Sequence, residues 1–93
     1  DDGIAMGSTA QAAVMCCRNR GARQVLVAAP VASEEAFKAL ESAADTVRVL
    51  MIPSFFSAVA EFYERWYDVP DEEVVNIMKL APRARIPADC CRL

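Results

Sequence analysis

The first nine residues combine two adjacent carboxylates, Asp1 and Asp2, with a turn that ends in Gly7, Ser8 and Thr9. A helix that starts at such a turn points its unpaired N–H groups and the positive end of its dipole outward, where they hold a phosphate well. The glycine lets the backbone approach closely, and the hydroxyls can add hydrogen bonds. Because carboxylates repel phosphate, we expect the acidic pair to bind sugar hydroxyls or a divalent cation.

A phosphate, vicinal hydroxyls and a cation together describe a ribose 5-phosphate. The same residues also suit an ordinary strand–turn–helix with an acidic cap, because Gly, Asp and Ser are common in turns. A different phosphate-binding α/β protein, such as a receiver-like or nucleotide-binding domain, would not require paired acids directly before the turn. Of these three interpretations, the residues favour a site for ribose 5-phosphate.

The elements that would position this turn can be predicted from hydrophobic spacing. Residues 8–20 have a helical pattern that Ser8 or Thr9 can cap, and Gly21 follows its end. The apolar positions that share one face of this helix are Ala10, Ala13, Val14 and Cys17.

A strand–helix–strand unit follows. The run "QVLVAAP" (24–30) predicts a strand that is buried on both faces and closed by Pro30, and "TVRVLMIP" (46–53) predicts a second strand. Between them Ser33 can cap a helix whose first turn contains Glu34 and Glu35. This spacing is typical of a βαβ unit with parallel strands and a right-handed crossover.

Two further helices are predicted downstream. The stretch "FFSAVAEFYERWY" (55–67) has Val59, Phe62, Tyr63 and Trp66 at helical spacing, which favours an aromatic packing face. Asp71 can cap a last helix, "EEVVNIMKL". We expect the tail, residues 81–93, to be irregular because it has two prolines and no periodicity.

The predicted fold class is α/β, as part of a doubly wound, Rossmann-like parallel sheet. Two complete strands make a poor sheet, so we expect strands on the N-terminal side of Asp1 to be missing from this chain. Residues 1–80 then form the C-terminal part of one domain, and ligands are expected at the carboxyl ends of its strands.

Composition excludes several function classes. The chain has no histidine, which excludes a Ser-His-Asp triad and histidine acid–base chemistry. The net charge is −3 without a cationic block, so nucleic acid is not an expected partner. No apolar run is long enough to span a bilayer. The cysteines form two adjacent pairs, 16–17 and 90–91, which suit neither a disulfide framework nor a zinc knuckle, and we expect a cytoplasmic protein.

The opening "DDGIAMGSTAQAAV" resembles the ribose-phosphate-binding loop of type I phosphoribosyltransferases. That loop usually reads as two acidic residues, two or three others and then Thr-Gly-x-Thr. The form Asp-Asp-Gly-Ile-Ala-x-Gly is similar to a bacterial phosphoribosyltransferase-like subgroup. The stretches "VLVAAPVA" and "FSAVAEFYERWYDVPDEEV" also resemble that subgroup, so the likeness extends to about Leu80.

The resemblance implies transfer of ribose 5-phosphate from phosphoribosyl pyrophosphate to a nitrogen acceptor, with Mg²⁺. Asp1 and Asp2 would hold the ribose hydroxyls, directly or through water bound to Mg²⁺, and would act as the catalytic carboxylates. The 5-phosphate would be bound by the five residues Ala5, Met6, Gly7, Ser8 and Thr9.

The chain departs from the family pattern in three ways. Met6 stands where threonine is usual, and Ala5 stands where purine-specific members have an aspartate. The pyrophosphate loop and the flexible catalytic loop of the family lie upstream of Asp1, so this fragment alone is expected to be inactive. The alternative is a non-catalytic module of the same fold that binds a phosphoribosyl group or assembles with another subunit. A homodimer is compatible with either interpretation.

Overall fold

The computed structural model describes residues 1–81. Its helices and strands follow the order α1 (Ser8–Asn19), β1 (Leu26–Val31), α2 (Glu34–Ala43), β2 (Thr46–Met51) and α3 (Asp71–Leu80), with a single 3₁₀ turn at Val59–Phe62 between β2 and α3. The predicted irregular tail lies outside the described residues, except for Ala81.

The sheet has two parallel strands joined by α2. Leu26 lies opposite Thr46, and Val31 lies opposite Met51. The start of the chain runs along the other edge of β1, where Ile4 pairs with Ala32 in parallel. The predicted parallel βαβ unit is confirmed, and the chain is α/β with a two-stranded sheet and three α-helices within residues 1–81. The doubly wound arrangement stays a prediction.

The core lies on one face of the sheet, beneath α1 and α2. The two helices contact each other, and α2 also contacts β2. Alternation along the strands places every second residue on this face. The buried side chains that pack together there are Ile4, Val14, Val25, Ala29, Ala32, Ala36 and Leu40.

The opposite face of the sheet is open, so the prediction of a strand buried on both faces is wrong for this chain. Leu26 is 62% exposed and Leu50 is 90% exposed. Both covering helices pack on the core face, which leaves the outward residues in solvent. β1 also continues through Pro30 to Val31 rather than ending at the proline. A proline removes one donor from the ladder, and the neighbouring pairs Ala29–Val49 and Val31–Met51 remain.

The helix predicted over residues 55–67 is also wrong, because the segment contains only the 3₁₀ turn. The rest of the segment is irregular, and two aromatic contacts lie within it. Phe56 stacks on Phe62 with ring centroids 5.3 Å apart, and Tyr63 meets Trp66 edge-on at 5.2 Å. Phe56 and Phe62 are six residues apart and would point in different directions on a helix, so their stack requires a non-helical backbone.

Helix α3 forms at the predicted place, but its cap differs. Pro70 is the N-cap, and Asp71 is the first helical residue, with no side-chain cap. The apolar residues of this helix are largely exposed, with Met78 at 69%. Among residues 1–81 no helix has the length and apolar content needed to cross a bilayer.

Candidate functional site

The N-terminal loop, residues 1–7, lies at the carboxyl end of β1 and is fixed there by backbone hydrogen bonds. The amide of Ile4 donates to the carbonyl of Val31 at 3.0 Å, and the amide of Ser33 donates to the carbonyl of Ile4 at 3.0 Å. The terminal amino group of Asp1 donates to the carbonyl of Ala28 at 3.1 Å. The loop therefore sits at the edge of the sheet where ligands bind in open α/β proteins.

Gly7 determines how the loop enters α1. Its φ is +82°, in the left-handed region, and a Cβ built on it would lie 3.1 Å from the Cβ of Ala36. The close contact with α2 and the positive φ both favour glycine at this position. The predicted cap by Ser8 or Thr9 is wrong, because Gly7 is the N-cap and no side chain caps the helix. The first amides of α1 are thus left without a side-chain partner, as an anion site requires.

An open cavity of about 300 Å³ faces this turn. It brings together six of the seven residues predicted for the site, and it also takes in Gly3, Ile4 and Ala10. The six are Asp1, Ala5, Met6, Gly7, Ser8 and Thr9. Asp2 is exposed but does not line the cavity, and its amide donates to Oδ1 of Asp1 at 2.8 Å. Ser8 and Thr9 are exposed, so their hydroxyls are accessible to a ligand.

Ser33 makes a hydrogen bond to the N-terminal loop in addition to capping α2. Its Oγ accepts from the amide of Ala36 at 3.1 Å, so the predicted cap of α2 is confirmed. The same hydroxyl donates to the carbonyl of Ala5 at 2.5 Å. One oxygen atom therefore ties the N-terminal loop to the first turn of α2. The sequence carried a partial signal, because Ser33 lies two residues after the carboxyl end of β1.

Tyr63 is a second residue that the sequence did not connect with the loop. Its hydroxyl donates to the carbonyl of Asp2 at 2.6 Å. Helical periodicity placed the ring in a packing stripe, and it does pack against Trp66. No pattern in the sequence signals a contact between residues 61 positions apart.

A magnesium ion would find incomplete coordination here. Within residues 1–81 no group of three or more Asp, Glu, Cys or His side chains is placed to hold a metal. The acidic pair nevertheless supplies carboxylate oxygens, the donors that Mg²⁺ prefers, and Mg²⁺ commonly takes its other ligands from water and substrate phosphates. The indirect, water-mediated role of Asp1 and Asp2 toward Mg²⁺ stays a prediction.

The first cysteine pair does not join the site. Cys16 and Cys17 are free and exposed on α1, beyond the end that faces the cavity. Cys17 was predicted on the apolar face, where Val14 is buried instead. Cys90 and Cys91 lie outside the part of the chain that the structure covers.

The chain is similar in sequence to two known proteins, although it matches no family model. No protein-family model matches the chain. Two relatives from Mycobacterium tuberculosis, of strains CDC 1551 / Oshkosh and H37Rv, are each 37% identical over 83 residues and bear the name "putative phosphoribosyl transferase". The match covers 89% of this chain and 19% of each relative, so the chain spans about a fifth of their length.

A solved structure shares the arrangement described above. The crystal structure of the protein TT1426 from Thermus thermophilus superposes with a TM-score of 0.79 at 41% sequence identity. The superposition covers 84% of this chain and 37% of that one. The α/β arrangement of this chain is therefore similar to that of part of a larger solved protein.

Proposed function

We propose that the chain is part of a phosphoribosyltransferase and contributes the site for the ribose 5-phosphate group of phosphoribosyl pyrophosphate. The observation that carries this proposal is the uncapped N-terminus of α1 at Gly7, which faces a cavity shared with Asp1, Ser8 and Thr9. The names of the mycobacterial relatives support it.

In the proposed complex the amides at the start of α1 and the hydroxyls of Ser8 and Thr9 bind the 5-phosphate. Asp1 and Asp2 accept hydrogen bonds from the ribose 2- and 3-hydroxyls, directly or through water on Mg²⁺. In the reaction a nitrogen nucleophile forms a bond to C1 of the ribose, and the bond from C1 to the pyrophosphate oxygen breaks. Positive charge develops on the ribose ring, and nearby carboxylates stabilise it. Mg²⁺, when bound, neutralises the leaving pyrophosphate.

The proposed site can be tested by measuring the affinity of this chain for ribose 5-phosphate. We expect Thr9→Val, which removes one hydroxyl, to weaken binding by about tenfold, the effect of losing a hydrogen bond of about 1.5 kcal/mol to a charged group. Thr46→Val at the start of β2 is the matched control and should leave the affinity unchanged. Titration calorimetry measures both. If ribose 5-phosphate and its pyrophosphate form leave the wild-type melting temperature unchanged, the phosphate site is wrong.

A non-catalytic module is the second candidate, and Met6 is the residue that favours it. A thioether cannot donate to phosphate, whereas the threonine usual in the resembling family can. The two candidates differ in the longer protein. A transferase binds phosphoribosyl pyrophosphate with Mg²⁺ and releases pyrophosphate when the acceptor is supplied, and Asp2→Asn abolishes this. A binding module shows binding without release.

A further inference from the structure

The segment that follows β2 returns to the N-terminal loop and contacts it at two adjacent residues. The hydroxyl of Tyr63 donates to the carbonyl of Asp2 at 2.6 Å. Val59, the first residue of the 3₁₀ turn, packs against Gly3 so closely that a Cβ on Gly3 would lie 2.7 Å from Cγ2 of Val59. Both contacts fall on the peptide group that joins Asp2 to Gly3.

These contacts act on the acidic pair rather than on the phosphate-binding turn. The backbone of Asp2 is tied on both sides, because its amide donates to Oδ1 of Asp1 at 2.8 Å while its carbonyl accepts from Tyr63. Residues 4 and 5 are held by other groups, namely the carbonyl of Val31 and the hydroxyl of Ser33. Removing the Tyr63 hydroxyl therefore loosens the backbone of Asp2, next to Asp1, while Asp1 keeps its hydrogen bond to the carbonyl of Ala28 and the anchors of the turn stay in place.

We infer that Tyr63 is a positioning residue that holds Asp1 and Asp2 in the orientation needed to bind the vicinal hydroxyls of a sugar. This inference rests on the proposed function and extends it to a residue that helical spacing assigned to an aromatic packing face. The ring of Tyr63 is itself braced edge-on by Trp66, with centroids 5.2 Å apart. A half-buried ring with one aimed hydroxyl has few alternative rotamers, so the hydrogen bond is preorganised.

The test compares two ligands that share the phosphate and differ in the sugar. Ribose 5-phosphate uses the turn and the acidic pair, whereas inorganic phosphate uses the turn alone. In the purified chain we expect Tyr63→Phe to weaken ribose 5-phosphate binding by about two- to tenfold, the range for one lost hydrogen bond. Phosphate affinity should stay within about twofold. A purely structural role would change both affinities in the same proportion.

Tyr67→Phe is the matched control, because its hydroxyl donates to Oε1 of Glu73 at 2.9 Å, away from the loop. It should change neither affinity. A second variant, Val59→Ala, loosens the contact with Gly3 and should give the same split between the two ligands even if Tyr63→Phe folds poorly.

Equal weakening of both ligands, or no change in either, overturns the inference and leaves the proposed function standing. If the wild-type chain binds neither ligand, the proposed function fails and this inference fails with it.

Discussion

At the scale of single residues, glycine has two separable uses in this chain. Gly7 and Gly21 both have a positive φ, +82° and +85°. Gly7 is also pressed against α2, because a Cβ at this position would lie 3.1 Å from the Cβ of Ala36, whereas a Cβ on Gly21 would meet nothing within 4 Å. The backbone strain of a substitution is thus common to both positions, and the steric contact belongs to Gly7 alone.

We therefore expect Gly21→Ala to lower the free energy of unfolding by about 1–2 kcal/mol through the left-handed backbone alone. Gly7→Ala should lower it further, because the added methyl group pushes α1 away from α2. Urea denaturation followed by circular dichroism measures the two values. Equal losses would mean that α2 gives way without penalty and that Gly7 is needed only for its φ.

The residue types predicted which residues come together in the loop better than they predicted the contacts that support it. Asp1 and the turn from Ala5 to Thr9 were predicted together from local residue chemistry, and the structure brings them to one cavity. Their binding of a phosphate stays a prediction. The cap at Gly7 was missed because the positive φ puts the glycine itself at the N-cap position. Tyr63 was missed because its hydrogen bond depends on how the chain folds back, which no local spacing encodes.

At the scale of elements, Asp45 lies between α2 and β2 and binds both α1 and the residue before β1, at the end of the sheet opposite to the site. Its Oδ2 accepts from the amide of Val25 at 2.7 Å and from Arg18 of α1 at 3.1 Å. Arg18 also donates to the carbonyl of Ala43, the last residue of α2. The backbone hydrogen bond from Val25 is the main cause that lowers the pKa of Asp45 below its ordinary value, and the charge of Arg18 adds to it.

Asp45→Asn should reduce stability in a pH-dependent way. A carboxyl group with a lowered pKa in the folded state contributes stability above its unfolded pKa, about 3.9, and loses that contribution as the pH falls through the folded value. We expect wild type to exceed Asp45→Asn in unfolding free energy at pH 7, with the gap closing below about pH 4. Urea titrations at both pH values measure it. A constant gap would assign the effect to packing rather than charge.

Element positions followed well from one-face periodicity in α1 and α2, and from apolar runs bounded by proline in both strands. Periodicity failed over residues 55–67, where the stack of Phe56 on Phe62 is incompatible with one helix face, and the end of β1 was misplaced at Pro30, where a strand tolerates one missing donor. The open face of β1 could not be predicted from composition, because an all-apolar run looks the same whether or not a second layer covers it.

At the scale of the whole molecule, the open sheet face determines how the isolated chain behaves. Leu26 and Leu50 are largely exposed there, and Arg48 is the charged residue on the same side of β2. Exposed apolar surface next to an unpaired strand edge favours association.

We expect the isolated chain to self-associate and Leu50→Glu to reduce that association, because a carboxylate on this face opposes burial. Met15→Glu is the control, since Met15 is also well exposed, at 64%, but lies on α1. Sedimentation velocity over a range of concentrations gives the comparison. A monomeric wild type would show that the open face is stable in water without a partner.

The hydrogen bond between Tyr63 and Asp2 also has a consequence for the order of folding. It closes a loop of 61 residues, whereas β1, α2 and β2 are neighbours in sequence. The entropy of closing a loop grows with its length, so the βαβ unit can form before the acidic pair is tied down. Hydrogen exchange should accordingly find the Asp2 amide, which donates to Oδ1 of Asp1, among the first to open and the amides of β1 among the last. In the proposed function, the acidic pair that would bind the sugar hydroxyls is then the part of the site that is assembled last.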